Sequence, residues 1–226
     1  TFILRIVWLT GHLGRVETKP KKTGDQMKQQ DYQKILDKYH ARIKEEFGES
    51  AVKPKSKITS MADRLNLKFV GTHPLAGSEK KGFSFSSSNL FDKSLVIITP
   101  TKKTDKKTVN KIKLFWKKLN AEVITLSSKE HDRILSFTSH LPHLIAFSLI
   151  NSIPGEFFKF SATGLRDSTR IALSDAKIWA DIFLSNKKEL LHSLDCFEGQ
   201  IKKIKKNINQ EKNKQLIRFL NKSKLK

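Results

Sequence analysis

The run Leu95-Val96-Ile97-Ile98-Thr99, closed by Pro100, constrains this chain more than any other stretch. It is continuous, apolar and rich in β-branched residues, with no polar alternation, which fits a strand buried on both faces. Such a strand needs a layer above it and a layer below. Between Val109 and Leu119, the side chains of Ile112, Phe115, Trp116 and Leu119 fall on one helical stripe. Ala121-Glu122-Val123-Ile124-Thr125-Leu126 then reads as a further strand, and Phe69-Val70-Gly71-Thr72-His73 as an earlier one. The order β-loop-β-α-β suits half of an open α/β sheet.

Beyond Ser128 nothing reads clearly as strand. Glu130 to Ile150 is one long helical pattern, broken near Pro142, and Thr169–Ala172 and Ala176–Leu194 continue as helices. Ile201, Ile204 and Ile208, then Leu216, Ile217 and Leu220, give two short helices in a Lys-rich tail. The expected division is an α/β part over 1–128 and an all-helical part over 129–226. The helical part offers more apolar face than a half-sheet covers, so it is expected to pair with a second copy. Upstream, Tyr32, Ile35, Leu36, Tyr39, Ile43 and Phe47 mark an amphipathic helix ending at Gly48, and Lys57–Leu65 reads as another. The opening Thr1–Leu9 reads as a strand rather than a secretory leader, and a chain that begins at Thr1 points to a fragment or an altered gene start.

Composition sorts the possible partners. A hydrophobic share of 38% with 15 Phe fits a globular chain of 226 residues, and no apolar run is long enough for a membrane span. The single Cys196 excludes an intramolecular disulfide and fits a reducing cytoplasm. The net charge of +22 raises nucleic acid as a partner. Its clusters at Lys102-Lys103, Lys106-Lys107 and Lys117-Lys118 carry no interleaved aromatics to stack on bases, and no zinc-finger or RNP-like spacing occurs. The charge therefore reads as a lysine-rich surface, which still draws in a small anion.

Three motifs concentrate groups suited to binding a carboxylate and moving a proton. The first is Gly71-Thr72-His73-Pro74-Leu75-Ala76-Gly77-Ser78-Glu79-Lys80, with His73 at a strand end and Ser78 and Glu79 in the following turn. A strand's carboxyl end is where open α/β sheets carry chemistry, although a lone histidine also serves as a hydrogen-bonded structural residue. The second is Ser139-His140-Leu141-Pro142-His143, whose histidines share a helix face; no cysteine or further histidine lies nearby to complete a zinc set, so no metal is expected. The third is Gly164-Leu165-Arg166-Asp167-Ser168-Thr169-Arg170-Ile171-Ala172, in which Arg166 and Arg170 lie one helical turn apart. Arginine is well shaped for a carboxylate, and a surface salt-bridge cluster is the plainer reading. His131-Asp132 resembles a dyad fragment, but adjacent helical residues point apart, so it reads as interface or capping.

In this order the three motifs resemble the prephenate/arogenate dehydrogenase family of tyrosine biosynthesis, from about Phe69 to about Leu191 and more weakly back to Ser50. The resemblance implies NAD- or NADP-dependent oxidative decarboxylation of prephenate to 4-hydroxyphenylpyruvate, or the matching reaction of arogenate, by a homodimer. It implies an incomplete Rossmann-like α/β half followed by a helical substrate-binding and dimerisation domain. On that template His73 accepts a hydrogen bond or proton from the ring hydroxyl. Arg170, helped by His143, holds substrate carboxylates, with Ser78, Glu79, Asp167 and Trp179 as further substrate-binding positions. His73, His143 and Arg170 are expected to converge on one anion-binding pocket between the two parts.

The chain departs from the family at its start. The G-x-G-x-x-G fingerprint is replaced by Leu9-Thr10-Gly11-His12-Leu13-Gly14, in which only Gly11 and Gly14 remain as cofactor-binding positions, and only 72 residues precede His73. The family's Gly-Ser-Val-Lys is Ser50-Ala51-Val52-Lys53 here, with Ala51 on the serine. Weak NAD(P) binding is therefore expected. Two other readings stand beside the enzyme: a non-catalytic dimerising remnant that binds an aromatic carboxylate, and a basic nucleic-acid binder.

Overall fold

The computed structural model describes residues 54–65, 69–76 and 89–224. The expected strand at 1–9 and helix at 32–47, with Gly11, Gly14, Ser78 and Glu79, lie outside the described residues. The described chain forms two compact units: the residues up to Ser128 together with Asp175–Ser185, and Lys129–Ser174 together with the residues from Asn186 onward.

The first unit is built on a three-stranded sheet in the order β1 (Val70–Pro74), β2 (Leu95–Pro100), β3 (Glu122–Thr125). Val96, Ile97, Ile98 and Thr99 are buried, as a strand covered on both faces requires. Helix α1 (Lys55–Arg64) packs against β1 and β2. Helix α2 (Lys106–Lys118) leads into β3 and packs against it. The Asp105 carboxylate starts α2 by accepting the Thr108 backbone N–H at 2.8 Å and the Thr108 hydroxyl at 2.9 Å. Lys117 and Lys118 suit the negative end of the helix, and Asn120 at φ 57° turns the chain out of it.

Trp116 anchors the core, with Val70, Val96, Ile98, Ile112 and Ala121 around it and Phe91 edge-on at 5.2 Å. The expected stripe on α2 is narrower than predicted: Ile112 and Trp116 are buried, whereas Phe115 and Leu119 border solvent. Phe115 instead leans its ring against the edge of the Trp116 indole at 5.3 Å.

The sheet corrects one step of the sequence argument. β2 and β3 are parallel, but β1 runs antiparallel to β2, pairing His73 with Ile97 and Pro74 with Val96. The carboxyl end of β1 therefore lies where β2 and β3 begin. The carboxyl-end rule of parallel sheets does not account for the position of His73.

From Ser128 onward the described chain is helical: α3 (Ser128–Leu135), a π-helical turn (Ser136–His140), α4 (Leu141–Ser152), a 3-10 turn (Gly155–Phe160), α5 (Thr163–Thr169), a 3-10 turn (Arg170–Leu173), α6 (Ala176–Ser185), α7 (Lys187–Asn209) and α8 (Asn213–Ser223). Pro142 does not break the helix as expected. It stands in the first turn of α4, and the chain passes from α3 to α4 through the π-turn. Proline lacks an N–H and its ring clashes with the carbonyl four residues back, and a π-turn absorbs both at once. The predicted helix Ala176–Leu194 is two helices divided at Asn186, and the predicted short helix at Ile201–Ile208 is the second half of α7. Glu211 at φ 50° then reverses the chain into α8.

Candidate functional site

His73 stands half-buried near the end of β1. The strand is held there from two sides: Leu75 N–H donates to Leu95 O at 2.8 Å, and the ammonium of the fully buried Lys55 donates to Thr72 O at 3.2 Å. Burying an ammonium is expensive unless it is hydrogen-bonded. The backbone immediately before His73 therefore has a fixed partner.

The second unit carries the remaining histidines. His143 Nδ1 lies 2.9 Å from Ser139 O. A carbonyl only accepts, so Nδ1 carries the hydrogen and Nε2 of the neutral ring offers a lone pair. Burial lowers the His143 pKa, against an opposing push from that same Ser139 bond. The neutral ring is thus an acceptor at Nε2, and it donates to a carboxylate there only as imidazolium.

His140 does not share the role of His143. Its Nδ1 meets the Asn186 amide nitrogen at 3.3 Å, and that nitrogen also donates to Asp132 O at 2.9 Å. Burial pulls the His140 pKa down to about 4; His131 pushes the same way, Asp132 opposes, and His143 adds a smaller lowering.

His131 and Asp132 depart from expectation. Adjacent residues on a helix were read as pointing apart, yet both are buried and His131 Nδ1 lies 3.0 Å from Asp132 Oδ1. The aspartate side chain is short enough to fold back along the helix to its neighbour, and burial leaves the pair facing each other instead of water.

Arg170 is exposed and opens the 3-10 turn Arg170–Leu173. That turn packs against α4, which carries His143, and α5 packs against α4 as well. Two of the predicted carboxylate-binding positions thus sit on contacting elements. Arg166 and Asp167 are exposed on α5, and the helix tightens at Thr169, so Arg170 does not continue the α-helical face of Arg166. Trp179 lies on α6, half-buried and stacked at a tilt on Phe183 at 5.6 Å. Asp175 caps that helix by accepting the Lys177 and Ile178 N–H groups. α6 groups with the first compact unit, whereas His143, Asp167 and Arg170 belong to the second.

A dinucleotide needs backbone N–H groups at a glycine turn that opens a helix. In the first unit α1 begins after Pro54, and the N-terminus of α2 is already taken by the Asp105 carboxylate, which repels a pyrophosphate. The start of α6, the other described helix of this unit, is capped by Asp175, so none of the three opens on a glycine turn.

The sequence reading passed over Lys55 and Asn186. Nothing in Pro54-Lys55-Ser56-Lys57 separates a buried lysine from its exposed neighbour. An asparagine before Lys187 looks like an ordinary helix cap.

Two family models match this chain. Residues 46–125 match the family model described as the prephenate dehydrogenase nucleotide-binding domain, and residues 127–222 match that described as its dimerization domain. The prephenate dehydrogenase of Bacillus subtilis strain 168 is 37% identical over 174 residues, covering 73% of this chain and 47% of that protein. The cyclohexadienyl dehydrogenase of Zymomonas mobilis is 34% identical over 176 residues, covering 74% of this chain and 60% of that protein. Among solved structures, prephenate dehydrogenase from A. aeolicus in complex with hydroxyphenyl propionate and NAD+ superimposes with a TM-score of 0.68 at 38% identity, covering 73% of this chain and 60% of that one. The chain spans about half to three-fifths of the length of these relatives.

Proposed function

The chain belongs to the prephenate/arogenate dehydrogenase family, and on that premise we propose that it acts in the oxidative decarboxylation of prephenate or arogenate in tyrosine biosynthesis. NAD or NADP supplies the hydride acceptor; the match of 46–125 to a nucleotide-binding model supports this assignment. In the reaction the ring carbon bearing the hydroxyl loses a hydride, the ring carboxylate leaves as carbon dioxide, and the ring becomes aromatic.

In this proposal His73 takes a hydrogen bond or proton from the ring hydroxyl, which pushes electrons toward that carbon. Arg170 supplies the charge that holds the side-chain carboxylate, because a guanidinium stays protonated at any working pH. His143, neutral with its hydrogen on Nδ1, accepts at Nε2 from a substrate hydroxyl or amine and adds charge only when protonated. Asp167, Ser78 and Glu79 orient these groups, and Trp179 is an aromatic wall. The contact between the Arg170 turn and the helix of His143 is the observation that carries this reading.

The chain is further proposed to work as a homodimer in the cytoplasm. The dimerization-domain match supports the pairing, as do the exposed apolar side chains Phe160 and Leu173, at 74% and 84%. The single exposed Cys196 fits a reducing compartment. The relatives named above are dehydrogenases and do not favour the nucleic-acid or non-catalytic alternatives.

The test is turnover. Prephenate or arogenate, with excess NAD+ or NADP+, should yield reduced nicotinamide in step with the aromatic product. His73→Ala should lower the rate by a factor of roughly 100 or more, the usual contribution of an acid–base group. Absence of nicotinamide reduction with both substrates would overturn the proposal.

A further inference from the structure

We infer that Asn186 is a positioning residue that holds His140 as the neutral tautomer with its hydrogen on Nε2, which keeps the helix segment before His143 uncharged. The consequence for His143 rests on the proposed function; the tautomer of His140 does not.

Asn186 stands at the start of α7, a place where asparagine ordinarily turns its amide oxygen onto the first helix N–H groups. It makes no such bond here, and it is buried. Its amide nitrogen is directed across the unit instead, to Asp132 O at 2.9 Å and His140 Nδ1 at 3.3 Å. The two amide hydrogens match these two contacts. The opposite flip would set the amide oxygen against the Asp132 carbonyl oxygen, acceptor facing acceptor. The carbonyl therefore fixes the orientation of the amide.

That orientation fixes the imidazole. A nitrogen receiving an N–H bond holds a lone pair, so His140 Nδ1 is bare and the hydrogen of the neutral ring is on Nε2. A proton added at Nδ1 would meet the Asn186 N–H head-on. Burial independently lowers the His140 pKa, with His131 pushing the same way, so the Asn186 contact selects the tautomer of a ring that is already neutral. The Asp132 carboxylate, the nearby anion that favours a charged His140, is itself engaged by His131 Nδ1 at 3.0 Å.

One turn further on, His143 has the opposite tautomer, with its hydrogen on Nδ1 toward Ser139 O. The two rings of Ser139-His140-Leu141-Pro142-His143 thus differ in polarity. A charged His140 would oppose protonation of His143, since a charged ring lowers the proton affinity of its neighbour. Holding His140 neutral leaves His143 able to take a proton when a carboxylate arrives.

The experiment is ¹⁵N–¹H NMR of the imidazole rings in the full, ligand-free chain, with His140 assigned by the signals that His140→Gln removes. The parent should show His140 protonated at Nε2 and bare at Nδ1 at neutral pH. Asn186→Asp offers Nδ1 an acceptor in place of a donor. It should move the hydrogen to Nδ1 and raise the titration midpoint by at least one pH unit, a tenfold change in proton affinity. Asn186→Leu, should the aspartate variant not fold, keeps the volume and should give mixed tautomers. A parent ring protonated at Nδ1, or an Asn186→Leu ring identical to the parent's, would overturn the inference. The signals are read without substrate, so failed turnover with an intact His140 signature would count against the proposed function alone.

Discussion

Gly71 faces Thr99 across the β1–β2 pair, and the Thr99 hydroxyl fills the space that a Cβ at position 71 would take. Thr99 is itself fully buried in the middle of the sheet and cannot move outward. Gly71→Ala should therefore destabilise the first unit by about 1–3 kcal/mol, the usual cost of overpacking a tight core. Thr99→Ala in the same chain should restore most of that loss, because it removes the clashing hydroxyl. Denaturant midpoints of the parent, both single variants and the double variant measure it. A Gly71→Ala midpoint equal to the parent's would contradict the packing described here.

Acid should weaken the second unit through His140. Its folded pKa of about 4 lies below the ordinary 6.5, so the unfolded chain takes up the proton first as pH falls. The stability tied to this ring is complete above about pH 6.5 and is lost as pH falls from there to about 4. The full effect is roughly 3 kcal/mol on the scale of a pKa difference of this size. His143 shifts in the same direction. Urea unfolding at neutral pH and near pH 4.5 should show a smaller loss in His140→Gln than in the parent. Equal losses in the two proteins would contradict the assignment.

The elements of the first unit were legible because their signals are local. A continuous apolar run and a one-sided helical stripe identify themselves within a few residues, whereas the Asp105 cap emerges only from the structure. The antiparallel direction of β1 was not legible, since it depends on pairing between residues far apart in sequence. The histidine motif was visible, but the opposed tautomers of His140 and His143 were not. They are set by Asn186 from a distant helix and by the Ser139 carbonyl. His131-Asp132 was misread because helical geometry considers Cα–Cβ directions, whereas the contact is made by side-chain ends under burial. Arg170 was legible as a carboxylate binder only through family resemblance. As a residue type in an exposed turn it reads equally well as surface charge.

Self-association should depend on the apolar residues that the second unit leaves bare. Leu173, 84% exposed, is the most exposed large apolar side chain among the described residues and is a direct place to test the pairing. Sedimentation at tens of micromolar, roughly the range in which weak dimers persist, should give a dimer for the parent. Leu173→Asp should shift it toward monomer. A monomeric parent under those conditions would contradict the proposed pairing.

The dinucleotide should bind more weakly than about 10 μM, equivalent to about −7 kcal/mol. The sequence offers Thr10-Gly11-His12-Leu13-Gly14 where a glycine fingerprint would stand, and in the described first unit Asp105 occupies the N-terminus of α2. Calorimetric titration with NAD+ and NADP+ measures it. A tighter complex with either would show that another part of the chain supplies the cradle.

In the proposed function Arg170 holds the carboxylate of a hydroxyphenyl ligand and His73 acts on its hydroxyl. Calorimetric titration of 4-hydroxyphenylpropionate into the parent, Arg170→Ala and His73→Ala tests it most directly. Arg170 is exposed in the ligand-free chain, so Arg170→Ala should lose roughly 2–4 kcal/mol of binding to the extent that the bound ligand takes the charge pair out of water. The account predicts that His73→Ala binds nearly as well as the parent, because its contribution belongs to the transition state. An Arg170→Ala chain that binds the ligand as tightly as the parent would contradict it.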